Sequence, residues 1–466
     1  MLLSHQYAGT LVKGRALCQK ACPIRHRVSI QRAFIEEKAS GGHGGMSPEM
    51  QNPMEGARQL VTVNFNDLAA GKDLIADIKK AYGSDGLGVL VISNVPQYSH
   101  LRQRLLPLAE VFASLPDAVK DKYVDAVSSY SFGWSHGKES MASGVPDTLK
   151  GSFYANPLLD DQLSPGSGDA VRPSFHAALQ QQNGAAASSS AGAAAAAEGR
   201  QRSQAEPSGA RSEAEVSELR RRYPSYFRRN LWPRDEVPEL EVAFKELGRL
   251  VCAVGCLLMD ACDGYVSTQL GTPPGQLAGV LHRSRNPKAR LLHYFPPSES
   301  AVQSGLKGAT GDDQEHEQAW CGLHTDHGSL TGLTAAMYLD EQGREVPSPD
   351  PQAGLYIRDR SGSFIRATIP PDCIAFQVGE ALQVQSGGLL MATPHYVRAP
   401  RAQLARGISR NTFAVFMQPD VMEPINCPPG VEPQRVAVGQ WRPGHTFGEF
   451  AEATFDKYYS SSSVPQ

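Results

Sequence analysis

Beyond Pro287 the chain breaks into short runs rich in branched and aromatic residues, split by Gly, Pro and Asp: Ala289 to Phe295, Ser329 to Leu339, Gly354 to Ile357, Phe364 to Ile369, Cys373 to Phe376, Leu389 to Thr393 and Ser409 to Met417. Many short strands at close spacing predict a β-sandwich or barrel. Upstream the periodicity differs. Leu240, Phe244, Leu247, Val251, Val254 and Leu258 fall three or four residues apart behind Pro238, which predicts a long core helix. Leu60 to Val63 and Gly88 to Ile92 read as strands. Leu74, Ile75, Ile78, Ala81 and Tyr82 read as a helix, as do Leu101, Leu105, Leu108, Ala109 and Phe112, with Pro107 kinking the second or marking its start. Helices first and strands later, without βαβ alternation, predict an α+β class: a β core buttressed by helices, with a mixed α/β N-terminal region.

This divides the chain into a basic segment 1–57, an N-terminal region 58–176, a low-complexity stretch 177–215, a helical support 216–286, the β core 287–420 with a polar insertion 298–317, and a C-terminal extension 421–466. The first 35 residues carry Lys13, Arg15, Lys20, Arg25, Arg27 and Arg32 but no acid, a composition shared by organelle transit peptides and by disordered basic starts. Residues 177–215 are mostly Gln, Ala, Ser, Gly and Arg and lack the branched and aromatic side chains of a core, so disorder is expected there.

With 45 basic and 48 acidic residues the net charge is -3, which gives no electrostatic case for nucleic acid or an anionic membrane as partner. No run of apolar residues is long enough for a membrane span. The eight cysteines are scattered, without the spacings of a zinc ribbon or a small disulfide scaffold, which points to a reducing compartment. These features predict a soluble, intracellular protein acting on a small molecule, cytoplasmic or, if the basic start is a transit peptide, in a chloroplast or mitochondrion.

The chemistry gathers in Trp320-Cys321-Gly322-Leu323-His324-Thr325-Asp326-His327-Gly328-Ser329-Leu330-Thr331. In an extended segment His324 and Asp326 leave the same face, while His327 points away to pack or hydrogen-bond. A third ligand is available in Thr393-Pro394-His395-Tyr396. Two imidazoles and a carboxylate form the facial triad of non-haem iron(II) centres, which leaves three metal positions open. A lone His-X-Asp is too common to stand alone. Its weight comes from Ser409-Arg410-Asn411-Thr412-Phe413-Ala414-Val415, where Arg410 and Thr412 share one strand face and Phe413 and Val415 the other. A guanidinium beside a hydroxyl suits a carboxylate, and an inward Arg without an anion is costly.

The His324 to Thr331 segment, Asp372 to Gln383, His395 and Arg410-Asn411-Thr412 together resemble the isopenicillin N synthase-like branch of the iron(II)/2-oxoglutarate-dependent dioxygenases. The resemblance covers residues 60–156 and 287–420, and implies a double-stranded β-helix, the jelly-roll or cupin-like fold, for the core. It implies iron(II) held by His324, Asp326 and His395, and the distal carboxylate of 2-oxoglutarate held by Arg410 and Thr412. It implies an oxidoreductase that uses dioxygen to hydroxylate or otherwise oxidise a small organic molecule while 2-oxoglutarate becomes succinate and carbon dioxide. Three positions depart from the family's pattern. Thr412 stands where Ser is usual and Tyr396 where Arg is usual; Phe295, in His293-Tyr294-Phe295-Pro296, replaces the tyrosine that bonds the co-substrate, so that Tyr294 substitutes only if the backbone shifts. By the same resemblance the segment Ser129 to Glu139 approaches the metal, making Tyr130, Trp134, His136 and Lys138 candidate substrate contacts. Two other readings share the fold: an iron(II) oxidase that does not use 2-oxoglutarate, and a silent binding module, whose expected sign, a lost metal ligand, is missing here.

Overall fold

Alternation of apolar side chains along the strands decides the layers. In the computed structural model, which describes residues 59–138, 147–163, 212–300 and 319–459, the strands are β1 (Val61–Asn64), β2 (Val89–Ser93), β3 (Gly133–His136), β4 (Lys150–Ala155), β5 (Lys288–Tyr294), β6 (Ala319–His324), β7 (Leu330–Thr334), β8 (Met337–Leu339), β9 (Glu345–Val346), β10 (Gly354–Arg358), β11 (Phe364–Ala367), β12 (Ile374–Val378), β13 (His395–Arg398) and β14 (Ser409–Met417). The major sheet runs β1-β2-β12-β7-β14-β5-β4-β3, with β8 pairing to β14 and β9 to β8; the minor sheet runs β11-β10-β13-β6. The β1–β2 pair is parallel and the other pairings are antiparallel. This is the expected double-stranded β-helix with helices on one side. The basic segment 1–57, residues 177–211 and nearly all of the polar insertion 298–317 lie outside the described residues.

Each major-sheet strand feeds two cores. Ile374, Phe376 and Val378 of β12, with Phe413 and Val415 of β14, face the helices. Between the sheets, Ala375 meets Val89, Val91, Leu355 and Ile357, while Ala414 meets Leu292, Tyr294, Trp320 and Tyr338. The period-two pattern therefore points Arg410 and Thr412 inward, between the sheets.

The main buttress is the helix Glu239–Leu270, which begins behind Pro238, carries Glu239 and Glu241 in its first turn, and ends at Gly271 in the left-handed conformation (φ 66°). It lies so close to the sheet that glycines are required at the contact. A Cβ on Gly255 would come within 2.2 Å of the Met417 sulfur, and one on Gly332 of β7 within 2.3 Å of Val251 Cγ1. Overpacking of this kind costs about 1–3 kcal/mol. We therefore expect Gly332→Ala to lower the denaturant midpoint without changing the slope of unfolding; an unchanged midpoint would show that the helix can simply step back.

Several expectations are corrected. The run Ser329 to Leu339 is two strands, because Arg102, buried on the helix Tyr98–Ala113, takes the carbonyls of Ala335 (3.0 Å) and Ala336 (2.8 Å) at the break. That helix passes through Pro107, which marks neither end of it. Leu389 to Thr393 is not a strand. Gly387 and Gly388 turn the chain with positive φ, and its amides bond elsewhere: Leu390 N to Ser386 Oγ, Met391 N to Tyr82 O, Ala392 N to Gln383 Oε1. The strand begins only at His395. Residues 212–215, inside the stretch expected to be disordered, are structured: Ser212 and Glu215 form a capping box that starts the helix Glu213–Arg222. No helix among the described residues is long and apolar enough to cross a membrane.

Candidate metal centre

His324 and His395 face each other across the minor sheet, paired in register at the end of β6 and the start of β13. Asp326 is not on the strand with His324, as the spacing alone suggested. β6 stops at His324, and the next residues turn back because the helix Glu380–Gln385 holds their carbonyls: Glu380 N donates to Asp326 O (2.8 Å) and Ala381 N to Gly328 O (3.2 Å). His327 packs, its ring stacked on Phe447 at 5.8 Å and edge-on to Phe455 at 5.4 Å, and burial lowers its pKa to about 4.

The ligand atoms of His324, Asp326 and His395 lie within 4.8 Å of one another. Asp326 Oδ1 is 3.5 Å from His324 Nε2 and 3.9 Å from His395 Nε2. Backbone carbonyls orient both rings: Gly322 O lies 2.7 Å from His324 Nδ1 and Thr393 O 3.2 Å from His395 Nδ1. A carbonyl only accepts, so each Nδ1 carries a proton and each Nε2 is the atom left to bind metal. The Thr331 hydroxyl donates to Asp326 Oδ2 at 2.5 Å, which turns Oδ1 toward the two histidines.

The charges suit a cation. Burial alone would raise the Asp326 pKa, but His395, His324 and Thr331 outweigh it and hold the carboxyl well below its usual range. Burial, reinforced by His324, lowers His395 to about 4, so it is neutral. At His324 burial acts downward, yet Cys321 and Asp326 together raise its pKa well above the ordinary value. A divalent ion at this centre takes the place of the His324 proton, so uptake is linked to proton release. Two nitrogens and one carboxylate oxygen on one side of the ion fit iron(II) in the facial arrangement.

Arg410 lies in the same space between the sheets. Only 7% of it is exposed; its guanidinium sits 4.7 Å from the Tyr294 ring centroid and 5.5 Å from that of Trp320, while Nε and Nη1 have no hydrogen-bond partner among the described residues. Orphaned buried donors on a permanent cation point to an anion. Tyr294 reaches Arg410 with no backbone shift, because β5 pairs Tyr294 directly with Arg410. Burial raises its pKa, with Arg410 opposing, so the phenol stays protonated and able to donate. Thr412 Oγ1 now donates to Thr334 O (3.4 Å) on the same inner face.

The four candidate substrate contacts divide. Trp134 is packed into the helix-side core, 5.2 Å from Phe112 and against Gly151, so it is not available to a ligand. His136 shares that face of β3 and is held by Thr148 O (3.0 Å) and Phe295 (5.1 Å between ring centroids). Both assignments are therefore withdrawn: β3 turns the even-numbered side chains toward the helices. Tyr130 is half-buried and Lys138 exposed, the Lys138 Nζ lying 5.4 Å over the Tyr130 ring. Thr331, Trp320 and Gln377 were not singled out from the sequence. The available signal was a polar residue at an inward position of an otherwise apolar buried strand, as in Leu330-Thr331-Gly332-Leu333 and Ile374-Ala375-Phe376-Gln377-Val378. Gln377, opposite Thr331 on the neighbouring strand, also has a buried Oε1 without a partner among the described residues.

No family model matches the chain. It is 28% identical over 131 residues, 28% of this chain and 31% of the relative, to a probable iron/ascorbate oxidoreductase of Dictyostelium discoideum. It is 26% identical over 170 residues, 36% of this chain and 43% of the relative, to a homoarginine-6-hydroxylase of Glycine max. The chain thus spans less than half the length of the curated relatives it matches. Its fold matches a solved protein from Caulobacter crescentus assigned to the 2OG-Fe(II) oxygenase family, with a TM-score of 0.53 at 18% identity over 85% of this chain and 99% of that one. In fold the chain is thus similar to 2OG-Fe(II) oxygenases, and over about a third of its length it is similar in sequence to curated iron-dependent oxidoreductases and hydroxylases. Thr331 orients the carboxylate of Asp326, and loss of such a supporting bond typically costs about 10–100-fold in metal affinity. We expect Thr331→Val to weaken iron(II) binding by that amount while the fold melts normally; wild-type affinity in an anaerobic titration would remove Thr331 from the account.

Proposed function

We propose that the protein is a non-haem iron(II) oxygenase that uses 2-oxoglutarate as co-substrate to oxidise a small organic molecule. The observation that carries this reading is the pairing of one converged His-Asp-His cluster with one buried arginine, two of whose donors lack partners among the described residues, both between the same two sheets. Bound iron(II) would supply the activation of dioxygen, coupled to decarboxylation of 2-oxoglutarate to succinate and carbon dioxide. The chain's own work is positioning. His324 and His395 present Nε2 because Gly322 and Thr393 hold Nδ1, and Asp326 presents Oδ1 because Thr331 holds Oδ2. Arg410 offers its fork, with the Tyr294 phenol and the Thr412 hydroxyl beside it, to the carboxylate farther from the metal. Leu292, Tyr294, Trp320, Tyr338 and Ala414 line this space and keep bulk water from it. The test is stoichiometry: in a metabolite screen, each oxidised product should appear with one equivalent of succinate. Product formed without consumption of 2-oxoglutarate would favour the oxidase reading instead.

A further inference from the structure

A cavity of about 260 Å3 adjoins the metal centre, and His324 itself forms part of its wall. Small-molecule sites usually span about 300–1,000 Å3, so this one suits a small metabolite. Leu323, Thr325 and Pro394, each next to a metal ligand in the chain, contribute to the wall; Gly439, Gln440 and Thr454 of the C-terminal extension complete it. The extension is fixed there by its own core. Trp441 is buried, donates from Nε1 to Ile425 O (2.8 Å), and clusters with Ala381 and Val384 of the helix Glu380–Gln385 and with Phe447, Phe450 and Ala451 of the helix Phe447–Tyr459. The first of these helices also holds the Asp326 turn through its Glu380 amide, so metal ligands and extension share one support. Gly439 has φ 54°, and its backbone lies so close to Glu380 that Oε2 leaves no room for a Cβ. Gln440, half-buried, is thereby set at the cavity wall between Gly439 and the anchored Trp441.

Hydrogen-bonding capacity decides what such a chamber takes. Three uncharged polar side chains line it: the Gln440 carboxamide and the hydroxyls of Thr325 and Thr454. The Thr454 hydroxyl donates to Phe450 O (2.9 Å), so it meets a ligand as an acceptor. Gln440 offers an acceptor and a donor side by side, and the complement of such a pair is another donor–acceptor edge, as when Gln reads a base edge with two bonds. Among the described residues of the wall there is no Lys or Arg, so a carboxylate entering it would lose water without gaining a counter-ion. We propose that this cavity is the substrate chamber and that Gln440 is its specificity-determining residue, selecting an uncharged molecule with an amide-type edge, whether carboxamide, lactam or ureide. Thr325 and Thr454 are secondary contacts. The proposal rests on the oxygenase reading above for the word substrate. It places recognition on the C-terminal extension, to which no sequence motif gave a role.

The test uses the full-length chain with iron(II) and saturating 2-oxoglutarate under anaerobic conditions, so that the Arg410 pocket is filled. Two matched sets are titrated, benzamide with benzoate and benzylamine, and hexanamide with hexanoate and hexylamine, and binding is read by ligand-observed NMR. The amides are expected to bind, and the acids and amines to bind at least about 10-fold more weakly, the worth of a pair of hydrogen bonds. Gln440→Leu should lose at least about 10-fold for the amides, and so should Gln440→Glu, which keeps the shape but not the donor. Retention of the iron–2-oxoglutarate absorption band in either variant shows that the fold and the metal centre persist. Acids or amines binding as well as amides, no amide binding, or variants that bind amides like the parent would overturn the assignment. Amide binding that depends on Gln440 but is accompanied by no absorption band in the parent would keep the chamber and condemn the oxygenase reading, so the two failures are told apart.

Discussion

Replacing Asp326 with alanine abolishes stable iron binding while the chain stays folded. Asp326 is the one anion of the cluster; both Nε2 atoms face its Oδ1, so its removal leaves two neutral or competing imidazoles with no charge to offset a divalent ion. Loss of a mere supporting hydrogen bond at such centres costs up to about 100-fold in affinity, and loss of the charged ligand must exceed that. The structural penalty is smaller: the Thr331 hydroxyl loses its acceptor, at a cost of about 1–3 kcal/mol. Metal analysis after anaerobic dialysis should find iron with the parent and essentially none with Asp326→Ala. Equal retention would mean that the metal, if any, binds elsewhere.

Arg410→Met separates the two halves of the site in the opposite sense. Iron stays, because none of its three candidate ligands touches Arg410. Affinity for 2-oxoglutarate falls by roughly 100-fold or more, the equivalent of about 3 kcal/mol for a buried, charge-assisted carboxylate pair. The same substitution raises the melting temperature of the ligand-free protein. Arg410 keeps two buried donors without partners among the described residues, each costing about 1–3 kcal/mol, against a cation–π gain of about 0.5–2 kcal/mol from Tyr294 and Trp320. A purely structural arginine would give the reverse pair of results: lower stability with unchanged 2-oxoglutarate affinity.

Much of the arrangement was legible in the chain because it follows from period two and from order. Arg410 and Thr412 alternate with Phe413 and Val415, so burying the aromatic and branched residues under helices sends the polar pair between the sheets. The convergence of His324 with His395 follows from two strands of one sheet meeting in register. What failed depended on partners distant in sequence. Nothing local in Gly133-Trp134-Ser135-His136 says which face of β3 will meet Phe112 and Phe153; the structure gives Trp134 and His136 to that core and turns Ser135 to the opposite face. Leu389 to Thr393 has strand-like composition, yet Gln383, Ser386 and Tyr82 take its amides before a ladder can. Likewise the turn that brings Asp326 to the histidines is made by Glu380 and Ala381, more than fifty residues away.

The central claim is that one site holds both a metal and a 2-oxoacid. Under anaerobic conditions, iron(II) is added to the purified chain and then 2-oxoglutarate, and the visible spectrum is followed for the metal-to-ligand charge-transfer absorption that appears when the 2-oxoacid chelates iron(II). The account predicts that the band appears with the parent chain, is absent in Asp326→Ala, and requires far higher 2-oxoglutarate in Arg410→Met. Stoichiometric iron in the parent with no band at any 2-oxoglutarate concentration would contradict it.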